Sequence, residues 1–207
     1  EKLVYGGLTK VFAGIVIAPI GGIIFGLLLT GLIITIFASR KPTIVNKTFG
    51  RLQIISSAWF ALTHGANDGQ KTMGIIALIL FSAGMIPELE IPLWVILAAA
   101  SAMGLGTFFG GYKVIKTLGV KITKLKPYQG FAAETGGGIM LAIFATLGIP
   151  ASTTHAITGT IMGAGSARRK RAVRWNVSRQ IVFSWIITIP GSAAMGIGFT
   201  YLIHLFV

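Results

Sequence analysis

The 207-residue chain contains no cysteine, only five acidic residues, and charges of either sign at just 11% of its positions. Without cysteine there are no disulfides and no thiolate metal sites, and redox chemistry says nothing about compartment. So few charges on a chain that is 54% hydrophobic, with a mean hydropathy of +0.81, exclude an ordinary soluble domain. The apolar segments are long and continuous and do not alternate, which makes a transmembrane barrel the poorer choice. What remains is an all-α, polytopic membrane protein. At about 20 residues per crossing, the chain holds five or six spans and leaves no room for a soluble catalytic domain.

What charge there is lies in few places. A net charge of +13 would suggest nucleic acid in a soluble protein. Here, fifteen of the 18 basic residues fall in three short segments, 40–51, 113–126 and 168–179, each between apolar spans. The positive-inside rule reads all three as cytoplasmic loops that set topology and touch anionic lipid, with no nucleic-acid role. The setting is a cell membrane crossed several times.

The first span covers about 11–37 and contains Pro19, so a tilt or mild kink is expected. Residues 42–51 are basic with scattered apolar side chains and read as a short interfacial helix. Then 52–85 is one long apolar stretch interrupted by His64-Gly65-Ala66-Asn67-Asp68-Gly69-Gln70-Lys71. That octet predicts a broken helix, one span made of two half-helices. Residues 86–91 hold Glu88 and Glu90 without a basic residue and are placed outside, and 92–112 returns as a span rich in small residues. Because both flanks of 131–166 are basic, that segment must go in and come back. Its arms of about 17 residues are at the lower limit for spanning, and its midpoint, Gly148 to His155, is rich in turn formers and hydroxyls. These features predict a re-entrant helical hairpin with its tip near the membrane centre. The last span, 181–206, contains Pro190 and Gly191 and leads outside, which puts both termini there. Residues 1–207 then form one transmembrane domain. The first ten residues show neither a basic leader with a cleavage motif nor an initiator methionine, so the chain reads as a fragment or one half of something larger.

Only two carboxylates, Asp68 and Glu134, lie inside apolar stretches. A charge there costs roughly 2.5–3.5 kcal/mol on insertion scales, so each is by default a group that handles an ion or substrate. The plainer reading of Asp68 is an ion pair with Lys71 or His64, three residues after it and four before it on the same helical face. The asparagine and flanking glycines instead suit coordination of an ion by side chains and freed carbonyls. Glu134 falls early in the first arm of the hairpin, ahead of Gly136-Gly137-Gly138, which would let a helix or an ion approach the backbone. At the tip, Ser152-Thr153-Thr154 follow Pro150 and would start the second arm. Hydroxyls, first-turn N–H groups and the positive end of a helix dipole make an anion site there without arginine or lysine. No HExxH or comparable ligand spacing occurs, so a His/Asp/Glu metal centre is not expected.

His64 to Asp68, Phe131 to Gly138 with its glutamate, and Pro150-Ala151-Ser152-Thr153-Thr154-His155 together resemble the inorganic phosphate transporter (PiT) family, the phosphate/cation symporters. The likeness covers nearly the whole chain and is to the C-terminal half of a member. It implies one half of an inverted-repeat transporter, with the matching motif set in an N-terminal half or another chain. By resemblance, Ser152, Thr153, Thr154, Asn67 and Gln70 would bind phosphate, and Asp68, Asn67 and Glu134 would bind or couple the cation, with Asp68 as the place for a sodium ion. The chain departs from the pattern after Asp68, where Gly69-Gln70-Lys71 replaces the Val-Ala-Asn of many members. An extra cation ligand is thereby lost, and Gln70 is the available substitute.

The function this predicts is secondary active transport of inorganic phosphate by symport with sodium or protons, with no cofactor beyond the coupling ion. A phosphate beside Asp68 would be repelled unless a cation stands between them or the carboxylate is protonated, so each ligand would raise the other's affinity. The partners implied are the lipid bilayer, the N-terminal half and, as a further association, a second copy of the transporter. The rivals are sulfate or metal-phosphate symport on the same architecture, an intramembrane hydrolase using His64, Asp68 and Glu134, and a non-transporting subunit.

Overall fold

The computed structural model describes residues 5–204, and among these every regular element is helical. It comprises two compact units, one ending at Val173 and one beginning at Arg174. The first holds α1 (Tyr5–Ile36), α2 (Pro42–Ser82), α3 (Leu93–Lys116), α4 (Pro127–Thr146) and α5 (Thr153–Ser166). A π-helical stretch, Thr117–Ile122, prolongs α3, and a 3₁₀ turn, Lys170–Ala172, follows α5. The second unit is α6 (Trp175–His204), which contains Pro190. Among the described residues, three helical segments are long and apolar enough to cross a membrane by length and composition, Thr9–Ile36, Leu93–Tyr112 and Trp175–His204. The last two residues of the expected final span, 205–206, lie outside the described residues.

The broken helix is not observed. α2 starts with Pro42 in its first turn and runs without interruption to Ser82, through the whole polar octet. Glycine costs a helix only about 1 kcal/mol per position, against about 3 for proline, and no proline follows Pro42 in α2. The polar side chains also bond within the helix. Asn67 Nδ2 donates to the Thr63 carbonyl at 3.1 Å, and His64, Asp68 and Lys71 pair along one face. Residues 42–51, expected as a separate interfacial helix, are the first turns of this same rod.

α4 and α5 form the hairpin, and its tip is a sequence of local devices. α4 ends in a Schellman motif in which Gly148 takes φ +60° and the Ile149 N–H reaches back to the Phe144 carbonyl at 3.0 Å. Ile149 and Phe144 then pack together with Ala18, Met140 and Ala151. Ser152 caps α5, its Oγ accepting from the His155 N–H at 3.4 Å. With 14 residues, α5 rises about 21 Å, short of the roughly 30 Å hydrocarbon core, whereas the 20 residues of α4 rise about 30 Å. α4 begins at Pro127, four residues earlier than predicted, because Gln129 Oε1 accepts the Lys126 N–H at 3.0 Å and closes its first turn. Gln129 Nε2 also donates to the Ala164 carbonyl at 2.8 Å, tying the start of α4 to the end of α5.

Close packing of backbones holds this hairpin against α1 and α2. Gly22 and Gly26 on α1 face Gly159 and Gly163 on α5, each pair four residues apart. A Cβ on Gly22 would stand 2.6 Å from the Ala156 carbonyl oxygen, and one on Gly163 would strike the Ile23 carbonyl. This is the small-xxx-small arrangement by which membrane helices approach one another. On α4, Gly136 faces Phe25 of α1, while Gly137 and Gly138 face Phe60 and Trp59 of α2. The glycine run thus admits two helices. Pro19 leaves the Ile15 carbonyl without an intrahelical donor, and the His155 imidazole of α5 bonds that carbonyl. His155 is accounted for as a latch between α1 and α5.

Candidate functional site

The unbroken α2 brings two polar clusters against the hairpin. At the tip, Asp68 Oδ2 accepts from Thr153 Oγ1 at 2.9 Å and lies 3.1 Å from His64 Nε2. Its other oxygen, Oδ1, accepts from Lys71 Nζ at 2.9 Å. Lys71 Nζ donates a second bond, to the Ala151 carbonyl of the tip at 3.0 Å. The His64 ring stacks on Phe60, their centroids 6.0 Å apart. Asp68 is therefore paired as its plainer sequence reading supposes, and it is also bonded to the first residue of α5.

The second cluster surrounds Glu134. Its Oε2 accepts from Ser56 Oγ at 2.6 Å and stands 3.2 Å from Ser57 Oγ, and its Oε1 accepts from Gln53 Nε2 at 3.3 Å. A 2.6 Å hydroxyl–carboxylate bond is in the range of charge-assisted bonds. Ser56 and Asp68 are twelve residues apart on one straight helix, about 18 Å, so the two carboxylates do not meet. Nor do His64, Asp68 and Glu134 assemble as one catalytic group. Among the described residues, no three His, Asp or Glu side chains gather where they could hold a metal ion.

A cavity of about 800 Å³ connects the clusters. Thr153, Thr154 and His64 line one end, Glu134 and Gln53 its middle, and Lys126 the other end. Thr154 is an exposed residue of α5. The amides of Thr153 and Thr154 precede the first intrahelical bond of α5, Ala156 N–H to the Ser152 carbonyl. Asn67 bonds its own helix. Gln70 is exposed two residues beyond Asp68, about 200° around α2, and faces away from it. The structure thus gathers Asp68, Ser152, Thr153 and Thr154, and separates Glu134 and Gln70 from them.

Sequence reasoning misses Gln53, Ser56 and Ser57. A signal for them exists, since Gln53, Ser57, Phe60, His64 and Lys71 recur at helical spacing along one stripe of α2, interrupting an apolar run with polar groups. The basic segments also converge. Arg40, Lys126 and Arg168, one from each, line a single cleft of about 160 Å³ at the end of the bundle opposite the tip.

The sequence signature of the phosphate transporter family (PHO4) matches residues 1–196. The chain belongs to the phosphate transporter family. It is 48% identical, over 93% of its length, to a "Probable low-affinity inorganic phosphate transporter" of Rhizobium meliloti, covering 58% of that protein. It is 38% identical over 93% of its length to the Bacillus subtilis protein of the same description, again covering 58% of it. A solved structure described as "The sodium-dependent phosphate transporter" superposes with a TM-score of 0.63 at 27% identity, covering 86% of this chain and 54% of the other. This member of the family thus spans about half the length of the relatives it matches. Those relatives are named as transporters and not as enzymes.

Proposed function

We propose that this chain is one repeat of a secondary transporter that carries inorganic phosphate in symport with a cation, sodium or a proton. The observation that carries the proposal is the bond from Thr153 to Asp68, which joins a membrane-depth carboxylate to the start of a re-entrant helix. Ser152, Thr153 and Thr154, with the first amides of α5, supply the donors for a tetrahedral oxyanion. The positive end of the α5 dipole favours the anion, and the cavity leading away from Thr154 gives it a path. Asp68 is the group whose charge must be offset before phosphate can stand beside it. Glu134, held by uncharged donors from α2, is the second coupling carboxylate. Asn67 and Gln70 serve the site from faces of α2 that the rest of the transporter covers. Support comes from the names of the relatives, inorganic phosphate transporters, and of the solved neighbour, a sodium-dependent one.

In this reading the end of the bundle where Arg40, Lys126 and Arg168 meet is cytoplasmic, and the cavity reaches it at Lys126, which lines both. A second, inverted repeat completes the site, and movement of one repeat against the other gives alternating access. The deciding experiment is uptake of labelled phosphate by the full-length protein in liposomes, with sodium and proton gradients imposed separately. Uptake that follows neither gradient refutes symport, and uptake of sulfate in preference to phosphate refutes the substrate.

A further inference from the structure

We infer that the ε-ammonium of Lys71 is itself the cation of the Asp68 site, standing between the Asp68 carboxylate and the Ala151 carbonyl where a dissolved sodium ion would otherwise bind. This rests on the reading of the hairpin tip as a phosphate site and specifies how its charge is balanced.

The geometry distinguishes this from an ordinary helical ion pair. A pair three residues apart on one helix needs only the carboxylate, at 2.9 Å here. Lys71 Nζ is also 3.0 Å from a backbone carbonyl 80 residues away, in the bend that leads into the Ser152 cap. A carboxylate oxygen and a backbone carbonyl oxygen facing one point, with the Thr153 hydroxyl on the neighbouring carboxylate oxygen, are oxygen ligands of the kind that hard cations take. An ammonium has three N–H donors. Two are used by Asp68 and Ala151, leaving one for an oxygen of a bound anion.

Lys71 is, moreover, the one basic residue outside the three basic segments and the first ten residues. It is placed where a charge is costly, and its partner is the carboxylate that would repel phosphate. Asp68 and Lys71 together carry no net charge, so the anion can enter without a dissolved cation arriving first. Being on the same rigid helix as Asp68, the ammonium is an intramolecular ligand that dilution does not remove. A sodium ion at Asp68 would have to displace it. Whatever cation couples transport then acts elsewhere, and Glu134 is the remaining membrane-depth carboxylate.

The test counts sodium directly and needs no transport. Purified full-length protein is titrated with ²²Na⁺ by scintillation proximity, as wild type, Lys71→Ala and the double variant Lys71→Ala/Asp68→Asn. Lys71→Ala should bind one sodium more per chain than wild type, competed by ethylammonium, and the double variant should lose it. Equal counts in wild type and Lys71→Ala overturn the inference. If Lys71→Ala does not purify as a monodisperse protein, Lys71→Gln, which keeps most of the side-chain volume, gives the same comparison. A parallel calorimetric titration with inorganic phosphate in choline chloride should show Lys71→Ala at least tenfold weaker than wild type, with the affinity recovered in sodium chloride. Wild-type protein that binds no phosphate in either salt refutes the proposed function, and the sodium count still decides the role of Lys71.

Discussion

Replacing Gly163 by alanine tests whether the hairpin is held to α1 through backbone contact. An alanine Cβ at 163 would lie 3.0 Å from both the Ile23 carbonyl carbon and its Cα, with the carbonyl oxygen closer still, whereas ordinary contact begins at 3.4 Å. Every obstructing atom is backbone within a long helix, so no rotamer change relieves the clash. α5 has to back away by about 1 Å, and a gap of that size forfeits a quarter to a half of each dispersion contact along the interface. Overpacking of this kind costs about 1–3 kcal/mol. The displacement also reaches the site. Thr153 is ten residues from Gly163 on the same short helix, about 15 Å, and its 2.9 Å bond to Asp68 would stretch beyond hydrogen-bond range.

Gly163→Ala in the full-length protein should therefore lower the thermal midpoint, followed by tryptophan fluorescence, and weaken phosphate binding in calorimetry. Gly31→Ala is the control. A Cβ there meets nothing within 4 Å, so removing a helical glycine should leave stability unchanged or raise it by up to about 1 kcal/mol. If Gly163→Ala unfolds at the wild-type temperature and binds phosphate with wild-type affinity, α1 and α5 are not in backbone contact and the reasoning fails.

Asp68→Asn keeps the shape of the acceptor but removes the charge that holds Lys71 and Thr153 at the tip, so phosphate uptake should fall sharply while the protein still inserts and folds; unchanged uptake would leave Asp68 without a part in transport. Thr153→Val deprives Asp68 of a donor and should weaken phosphate binding by roughly five- to 150-fold, the equivalent of about 1–3 kcal/mol, with wild-type affinity counting against the tip as the anion site. Ser152→Ala removes the α5 cap as well as a hydroxyl, so it should lose about 0.5–2 kcal/mol of stability in addition to affinity, and loss of neither would exclude both roles. Single cysteines at Lys47, Lys121 and Lys170 should be labelled only from the cytoplasmic side and one at Glu88 only from outside; labelling of any two of the first three from opposite sides would refute the re-entrant hairpin.

Features set by local chemistry are legible in the amino-acid order alone. The apolar lengths of α1, α3 and α6, the three basic segments and the tip with Gly148, Pro150 and Ser152 each follow from residues adjacent in sequence. The octet around Asp68 reads as a helix break because glycine and asparagine weaken helices on average. What preserves the helix is pairing one turn apart, His64 to Asp68 to Lys71, and a sum of propensities does not contain it. The cradle of Glu134 is less accessible still, since Gln53, Ser56 and Ser57 meet it only through the register in which α4 packs on α2. Glycine spacing holds part of that register. Gly137 and Gly138 mark where Phe60 and Trp59 enter, but the sequence does not say which helix supplies them.

An unbroken α2 limits how the site can open. Gln53 and Lys71 are 18 residues apart, five full turns, so they lie on the same face about 27 Å from each other. The hairpin is fastened at both ends of that interval, by Glu134 near Gln53 and by Ala151 and Thr153 near Lys71. A helix without an internal break cannot let the tip swing away while Glu134 stays bound. Either both attachments release together, or α2 and the hairpin move as one body with α1, to which α5 is packed backbone to backbone, and the bending is confined to residues 83–92 after α2. The second course keeps every charge-assisted bond intact, whereas the first would leave the Glu134 carboxylate without its donors and take the Thr153 hydroxyl from Asp68, which keeps only His64 and Lys71 on its own helix. Gly84, at φ +68° just after α2, gives that connection a residue able to take up the change in backbone angle.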